Sequence, residues 1–242
     1  IDSLMKVSMG LILVAFFLLT PMLFFFAYKY RGNKKNTAYF FSHNNKLEIV
    51  WTVVPTIILT VLIVYGLRTW DRAMNPDISE AQVIEIYGKQ FQWTARVSGD
   101  DNKLGKANYK FVTGKNSLGV DMEDKNAADD KLVREVHLVV DKPVLLKFRS
   151  QDVIHSAFLP HFRVQMNCVP GLSTQFAFTP TQTTSEMKEQ EGADFEYVLL
   201  CNKICGAAHY NMQMNFIVET QEEYNTWIAS QKTLSEKLLT QK

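Results

Sequence analysis

The amino-acid sequence predicts a membrane-anchored all-β protein, with an N-terminal transmembrane hairpin, a β-sandwich or barrel outside the membrane, and a C-terminal surface helix. Three observations support this prediction. Two long runs without charged residues, 7–28 and 49–67, lie near the N-terminus. Short runs rich in β-branched and aromatic residues follow, separated by Pro and Gly. Residues 221–240 then place apolar side chains at helical spacing.

The two apolar runs are predicted to cross a membrane. Residues 7–28 would span roughly 33 Å as a helix, enough for the hydrocarbon core of a bilayer. Buried helices of a soluble core, or a retained signal sequence for the first run, are the alternatives. Uncharged runs of this length are rare in soluble proteins, which favours two transmembrane helices.

The loop 29–48 between these helices is basic and sets the predicted orientation. Its charged residues are Lys29, Arg31, Lys34, Lys35 and Lys46, against Glu48 alone. Positively charged loops stay in the cytoplasm, so residues 1–71 form a hairpin with both chain ends outside. We therefore expect a multi-pass protein of the bacterial inner membrane, with residues 72–242 on the periplasmic side.

The outer part is predicted to be a β domain with two additions. The predicted strand runs are 83–97, 133–140, 143–150, 173–180, 194–201 and 214–220. Residues 98–130 are polar and are predicted to form a long surface insertion. Residues 221–240 are predicted to form a surface helix.

Charge and cysteine content exclude some classes of function. The formal net charge is +1, from 26 Lys+Arg against 25 Asp+Glu, which offers no basic excess for nucleic acid. Three cysteines are an odd number, so metal binding or redox chemistry is favoured over a disulfide framework. Position 1 is Ile rather than Met, which is compatible with removal of a signal peptide.

One stretch carries the residues expected of a metal site. Cys201 and Cys205 are followed by His209 and Met212, and His155 precedes them in the chain. Thiolate, imidazole and thioether are soft donors that favour copper in electron-transfer sites. A second cysteine in the same loop allows both thiolates to bridge a pair of metal ions.

Each of these residues also has an ordinary structural interpretation. The cysteine pair alone could form a zinc site or a disulfide, while Met212 and His155 alone could be core residues. A closed zinc site more often uses Cys and His without Met. The joint occurrence of all five donors behind a helical hairpin favours copper.

These motifs resemble cytochrome c oxidase subunit II. The resemblance covers most of the chain: the C-x-x-x-C-x-x-x-H-x-x-M pattern, the His155-Ser156 dipeptide, the Val169-Pro170-Gly171 element and LEIVWTVVPT at 47–56. It implies a cupredoxin-like domain with a binuclear copper centre, CuA. Cys201 and Cys205 would bridge the coppers, with His155 and His209 as terminal ligands. Met212 would be a weak axial ligand, and Lys203 would contribute its backbone carbonyl.

The resemblance also implies a role and partners. Such a subunit accepts electrons from cytochrome c, or from a c-type cytochrome domain, and passes them to haem in subunit I. Subunit I then reduces dioxygen to water and pumps protons. The chain alone would hold no complete active site and no haem. Its partners would be subunits I and III, and a supercomplex with a quinol-oxidising complex would be a further assembly.

Three positions depart from the family pattern. Lys203 replaces a Glu between the cysteines, and Asn167 replaces an Asp before the Pro-Gly element. Both changes weaken the magnesium site expected at the subunit I boundary. Phe91 replaces the Trp that receives the electron in the family, so the electron would arrive through Phe91 or through Trp93. Glu48 would lie at the mouth of a proton pathway completed by subunit I.

Three other classes of protein share parts of this sequence pattern. A nitrous-oxide-reductase-like enzyme needs a further large domain, and a quinol oxidase subunit lacks the copper ligands. A membrane-anchored copper-delivery protein is the main alternative, since it shares C-x-x-x-C and a distant His. Such a delivery protein, however, has no Met three residues after a His that follows the cysteines. No C-x-x-C-H motif occurs, so no c-type haem is expected on this chain.

Overall fold

The computed structural model describes residues 1–32, 37 and 39–240. The chain divides into two compact units, Ile1–Asn75 and Pro76–Lys242. Lys34 and Lys35, used above to predict the orientation of the hairpin, lie outside the described residues.

The first unit consists of two long helices, α1 (Asp2–Lys29) and α2 (Asn45–Met74). Their most apolar segments have mean hydropathies of 2.5 and 2.3, and no side chain of either helix is buried in the protein. Both helices extend beyond the predicted limits. The side chain of Asn44 accepts a hydrogen bond from the backbone N–H of Leu47 and caps the start of α2.

The second unit is a sandwich of two five-stranded sheets. The strands are β1 (Gln82–Lys89), β2 (Gln92–Val97), β3 (Lys131–Val133), β4 (Val136–Val139), β5 (Val144–Ser150), β6 (His155–Leu159), β7 (Val164–Cys168), β8 (Thr174–Phe178), β9 (Tyr197–Cys201) and β10 (Gln213–Glu219). One sheet has the order β3-β2-β1-β5-β8 and the other β4-β10-β9-β6-β7. A short helix, α3 (Thr184–Glu191), connects β8 and β9.

Apolar side chains from both sheets form one core between them. Ile84, Ile86 and Phe148 of the first sheet and Leu138 and Phe216 of the second are buried in it. β1 pairs in parallel with β5, and β10 in parallel with β4, so both sheets are mixed. The predicted all-β domain behind two apolar helices is confirmed. β6 and β7, however, lie in a region where no strand was predicted.

The polar insertion is a folded cover on the first sheet rather than a loose surface loop. It contains two 3-10 turns, Tyr109–Phe111 and Lys125–Ala127, and an antiparallel bridge between Ala107 and Val120. A second cluster of buried apolar side chains joins it to β1: Tyr87, Leu118, Val120, Ala127 and Leu234. β1 is therefore buried on both faces.

The C-terminal segment is helical, as predicted, but it forms two helices rather than one continuous helix over 221–240. α4 (Gln221–Ser230) begins with a capping box between Thr220 and Glu223. α5 (Leu234–Thr240) follows after Thr233 forms a β-bridge with Lys131. Because the backbone N–H of Leu234 donates to the carbonyl of Asp130, tertiary contacts interrupt the helix there.

Candidate metal centre

Two connections at one end of the sandwich bring the predicted donor side chains together. His155 begins β6, Cys201 ends β9, and Cys205, His209 and Met212 lie in the connection from β9 to β10. Because β6 pairs with β9 through Ala157 and Cys201, His155 and Cys201 come to the same end of the sheet. A 3-10 turn, His209–Asn211, returns the chain to β10.

The donor atoms lie close enough to bind metal. The Sγ atoms of Cys201 and Cys205 are 3.9 Å apart, and His155 Nδ1 lies 3.9 Å from Cys201 Sγ. His209 Nδ1 is 3.6 Å and Met212 Sδ 4.0 Å from Cys205 Sγ. Two thiolates that bind one ion at about 2.3 Å can be separated by up to about 4.6 Å. The donor set therefore fits a metal ion held by both sulfurs.

The backbone carbonyl of Lys203 also points to this cluster. Cys201 Sγ lies 3.3 Å from that carbonyl oxygen, while the Lys203 residue itself is exposed. The oxygen can thus act as a donor whatever the side chain is.

Asp152 fixes the orientation of His155. Its Oδ1 accepts a hydrogen bond from His155 Nε2 at 2.9 Å, and its Oδ2 accepts one from the backbone N–H of Gln90 at 2.8 Å. Burial works to raise its pKa, but the hydrogen bonds from Gln90, His155 and Val153 lower the pKa of this carboxyl overall. An ionised Asp152 places the ring proton of His155 on Nε2 and leaves Nδ1 free to bind metal.

The turn between β1 and β2 packs directly on the ligand loop. The Gln90 side-chain amide donates to the backbone carbonyl of Cys205. Gly206 has a φ of +143° and lies so close to Phe91 that an added Cβ would be 2.7 Å from its ring. The Phe91 ring is therefore in contact with the residue that follows Cys205.

Trp93 supports the site from inside the core. It is buried, its indole N–H donates to the carbonyl of Met212 at 3.4 Å, and its ring meets that of His155 edge-on at 5.8 Å. Gly88 makes this packing possible, because a Cβ there would lie 3.0 Å from both the His155 and the Trp93 ring.

Two of the thiols are strongly shielded from water. Burial, together with the neighbouring Cys201 thiol, raises the pKa of the Cys205 thiol to about 11. Burial raises the pKa of Cys168 to about 12. Cys168 pairs with His155 across β6 and β7, and it lies outside the cluster of metal-ligating atoms formed by His155, Cys201 and Cys205.

The remaining predicted residues lie elsewhere. Asn167 is on β7 opposite Ser156, and its backbone carbonyl accepts a hydrogen bond from Thr174. Glu48 is in the first turn of α2, where its carboxylate accepts a hydrogen bond from the backbone N–H of Asn44 at 3.4 Å.

Sequence reasoning missed Asp152, Gln90 and Gly206 as parts of the site. The spacing Asp152-x-x-His155 is a usable signal, because a metal-binding His commonly donates its second N–H to a nearby carboxylate. Gln90 carries no such signal, since its partner Cys205 is 115 residues away in the chain.

Comparison with known proteins identifies two family regions. Residues 1–69 match the family model for the cytochrome c oxidase subunit II transmembrane domain, and residues 82–220 match that for its periplasmic domain. The chain is 31% identical over 224 residues to the alternative cytochrome c oxidase subunit 2 of Bradyrhizobium diazoefficiens, covering 90% of this chain and 76% of that protein.

A second relative and one solved structure are also similar to the chain. Cytochrome c oxidase subunit 2 of Synechocystis is 28% identical over 207 residues, covering 77% of this chain and 58% of that protein. The periplasmic domain of subunit II of the Bradyrhizobium japonicum cytochrome oxidase is a similar solved structure, with a TM-score of 0.44 and 20% identity. That match covers 68% of this chain and 99% of the other.

Proposed function

Since the chain belongs to the cytochrome c oxidase subunit II family, we propose that it binds two copper ions at the site above and transfers electrons. The chain is a subunit of a haem–copper oxidase, an oxidoreductase complex in the membrane. In this proposal it accepts electrons from a c-type cytochrome and passes them to haem in subunit I. Dioxygen reduction and proton pumping take place in the partner subunits.

The observation that carries this proposal is the convergence of two thiolates, two imidazoles and one thioether. Cys201 and Cys205 lie between the imidazole of His155 on one side and that of His209 on the other. Soft sulfur donors with imidazole favour copper, and a pair of thiolates can bridge two ions. When bound, copper supplies a one-electron carrier.

The surrounding residues hold these donors in one arrangement. Asp152 keeps the proton of His155 on Nε2, and Gln90 ties the backbone of Cys205 to the β1–β2 turn. The indole of Trp93 holds the carbonyl of Met212. An electron carrier benefits from such rigidity, because its ligands then move little between redox states.

The contact between Phe91 and Gly206 supports Phe91 as the point where the electron reaches the ligand loop. Phe91 is half-buried, whereas Trp93 is buried behind the ligands. A donor at the surface would meet Phe91 before Trp93. Phe91 would therefore provide the shortest path for the electron through the protein to the copper ligands, with Trp93 in a supporting position.

We expect no magnesium ligand from this chain at the subunit I boundary. The exposed side chain of Lys203 carries the wrong charge for a cation site, and Asn167 is neutral where a carboxylate would be needed. We also propose that Glu48, in the first turn of α2, opens a proton pathway completed by subunit I.

The family description supports a bacterial membrane location with the metal domain on the periplasmic side. Within that setting we propose contacts with subunits I and III, and a supercomplex with a quinol-oxidising complex. The copper-delivery alternative is not favoured, because both parts of the chain match subunit II.

Metal analysis of the purified oxidase tests this function. We expect two copper ions per copy of this chain, in addition to the copper of subunit I, and loss of both in Cys205→Ser. A matched variant, Cys168→Ser, removes a buried thiol outside the donor cluster and should retain both. Wild-type protein with one copper or with zinc at this site would contradict the proposal.

A further inference from the structure

The end of the sandwich that holds the donor atoms has few acidic side chains. It is formed by residues 88–93, 150–156, 167–173 and 201–213, which we call the copper end. Asp152 is the one carboxylate in these segments, and Lys89 and Lys203 are their lysines. Both lysines are exposed.

Asp152 is exposed, and its side chain is held by neighbouring groups. Its two oxygens accept hydrogen bonds from the backbone N–H groups of Gln90 and Val153 and from the ring of His155. These hydrogen bonds favour the ionised carboxylate, so its negative charge remains. The two exposed lysines against this one carboxylate leave the copper end with a net formal charge of +1.

A lysine-rich segment of the insertion lies beside the copper end, flanked in the chain by acidic residues at 100–101 and 121–124. Residues 103–118 contain no Asp or Glu, and they present four exposed lysines: Lys103, Lys106, Lys110 and Lys115. A groove of about 650 Å³ runs between residues 107–112 of this segment and residues 170–173 of the copper end. Arg149 lines this groove but is paired with Glu85, and none of the lining residues is acidic.

Apolar side chains are also exposed at the copper end. Ile204 and Tyr210, on the ligand loop, are 87% and 88% exposed, and Leu172 beside the groove is 55% exposed. Phe91 contacts the same loop through Gly206. An apolar centre with a charged rim is typical of a docking surface whose charges steer the partner.

We infer that the electron donor of this subunit is a c-type cytochrome that docks on the copper end through an acidic face, rather than through a lysine-rich one. This inference rests on the proposed copper-centre function. Carboxylates around the exposed haem edge of the donor would meet Lys89, Lys203 and the lysines of the insertion. Its apolar haem edge would meet Ile204 and Tyr210.

The test is stopped-flow reduction of the purified oxidase by two reduced c-type cytochromes, one with an acidic and one with a lysine-rich docking face. Electrostatic steering raises association rates about 10-fold or more at low salt and is screened as salt increases. We expect the second-order rate with the acidic cytochrome to fall by about that factor as ionic strength rises. The rate with the lysine-rich cytochrome should rise or stay constant.

Charge-reversed variants locate the effect. Lys89→Glu and Lys110→Glu should each slow reduction by the acidic cytochrome at low salt. Lys188→Glu changes an exposed lysine on α3, at the opposite end of the sandwich, and should leave the rate unchanged. Equal rates in all three variants would overturn the inference and indicate that another subunit covers the copper end.

Faster reduction by the lysine-rich cytochrome as salt is lowered would also overturn the inference of an acidic donor. Copper content and the electron paramagnetic resonance (EPR) spectrum of the same preparations distinguish failure of the docking inference from failure of the copper function. An intact binuclear signal with reversed salt dependence contradicts only the acidic donor. Loss of the binuclear signal in the wild type contradicts the copper function itself.

Discussion

At the residue scale, Asp152 orients His155, a proposed metal ligand, without being a proposed ligand itself. It accepts the Nε2 proton of His155 at 2.9 Å and at the same time anchors the backbone of Gln90. Its carboxylate thus ties the orientation of a ligand to the position of the β1–β2 turn. A carboxylate partner also makes the imidazole a stronger donor for metal.

Asp152→Asn should weaken copper binding while leaving the fold intact. The amide retains the size of the side chain but loses the negative charge that orients and polarises His155. Loss of such a partner typically lowers metal affinity by about 10- to 100-fold, which competition with a copper chelator measures. Asp77→Asn, at an exposed carboxylate that accepts from the backbone N–H of Ser79, is the matched control. Unchanged copper affinity in Asp152→Asn would contradict the role of this residue.

Gly206→Ala should disturb the site through contact rather than through backbone strain alone. An added Cβ would lie 2.7 Å from the Phe91 ring and 2.9 Å from Nε2 of Gln90. We expect slower reduction of copper by the donor and weaker copper retention, because the turn and the ligand loop must separate.

Gly192→Ala provides the control for this variant. Gly192 has a similar φ of +116°, but nothing lies within 4 Å of its added Cβ. It should lose about 1 kcal/mol of stability from strain and keep normal electron transfer. Equal behaviour of the two variants in stopped-flow reduction would refute the proposed Phe91 contact.

The five side chains proposed as donors could be singled out from the sequence because four of them lie in one short motif. Cys201, Cys205, His209 and Met212 carry chemistry at fixed spacing, and that spacing is visible without a structure. The supporting contacts of Gln90 and Gly206 were not predictable. They join segments far apart in the chain, and neither residue type indicates a metal site by itself.

At the element scale, a buried ionic network attaches the insertion to the first sheet. Arg96 of β2 contacts Glu85 of β1 at 2.9 Å and Asp130, at the end of the insertion, at 2.7 Å. Arg149 of β5 contacts the other oxygen of Glu85 and donates to the carbonyl of Leu118. Removing one member of such a network leaves a charge buried without its partner, which typically costs about 3–5 kcal/mol.

This network predicts an unusual pH dependence of stability. Burial raises the pKa of Asp130 from 3.8 to about 6, although Arg96 opposes the shift. The folded state therefore holds the proton of Asp130 more tightly than the unfolded state does. The resulting stabilisation is complete below about pH 4 and is lost as pH rises through about 6.

Unfolding of residues 76–242 measured at pH 7 and at pH 5 checks this dependence. Relative to Asp130→Asn, the wild-type domain should gain free energy of unfolding as pH falls from 7 to 5. The difference between the two proteins isolates Asp130 from the other carboxyl groups. A wild-type domain that loses stability against the variant over this interval would contradict a raised pKa.

Element prediction failed where tertiary contacts oppose the local pattern. The insertion is polar overall, and the apolar residues that pack on Tyr87, such as Leu118 and Val120, are few in its sequence. β6 and β7 are short and are separated by a turn that begins at Pro160, so neither gave a clear alternating run. The break between α4 and α5 depends on pairing with Lys131, which local helical spacing does not reveal.

At the scale of the whole molecule, the chain is divided between two solvents. The first unit exposes apolar side chains along both helices, as lipid requires, and the second buries its apolar residues between two sheets. This division was predictable from composition, because uncharged runs and strand-like runs occupy separate parts of the chain. The lysines at the copper end were less obvious, because the net charge of +1 for the whole chain averages them with acidic residues elsewhere.

The central claim is that Cys201 and Cys205 bridge two copper ions, and EPR of the purified oxidase tests it most directly. If one unpaired electron is shared by two coppers, both nuclei split the signal, giving more hyperfine lines than one copper nucleus can. This shared-electron spectrum is the predicted result, and it should disappear in Cys205→Ser. Splitting by a single nucleus at this site, or bound zinc without a signal, would contradict the account.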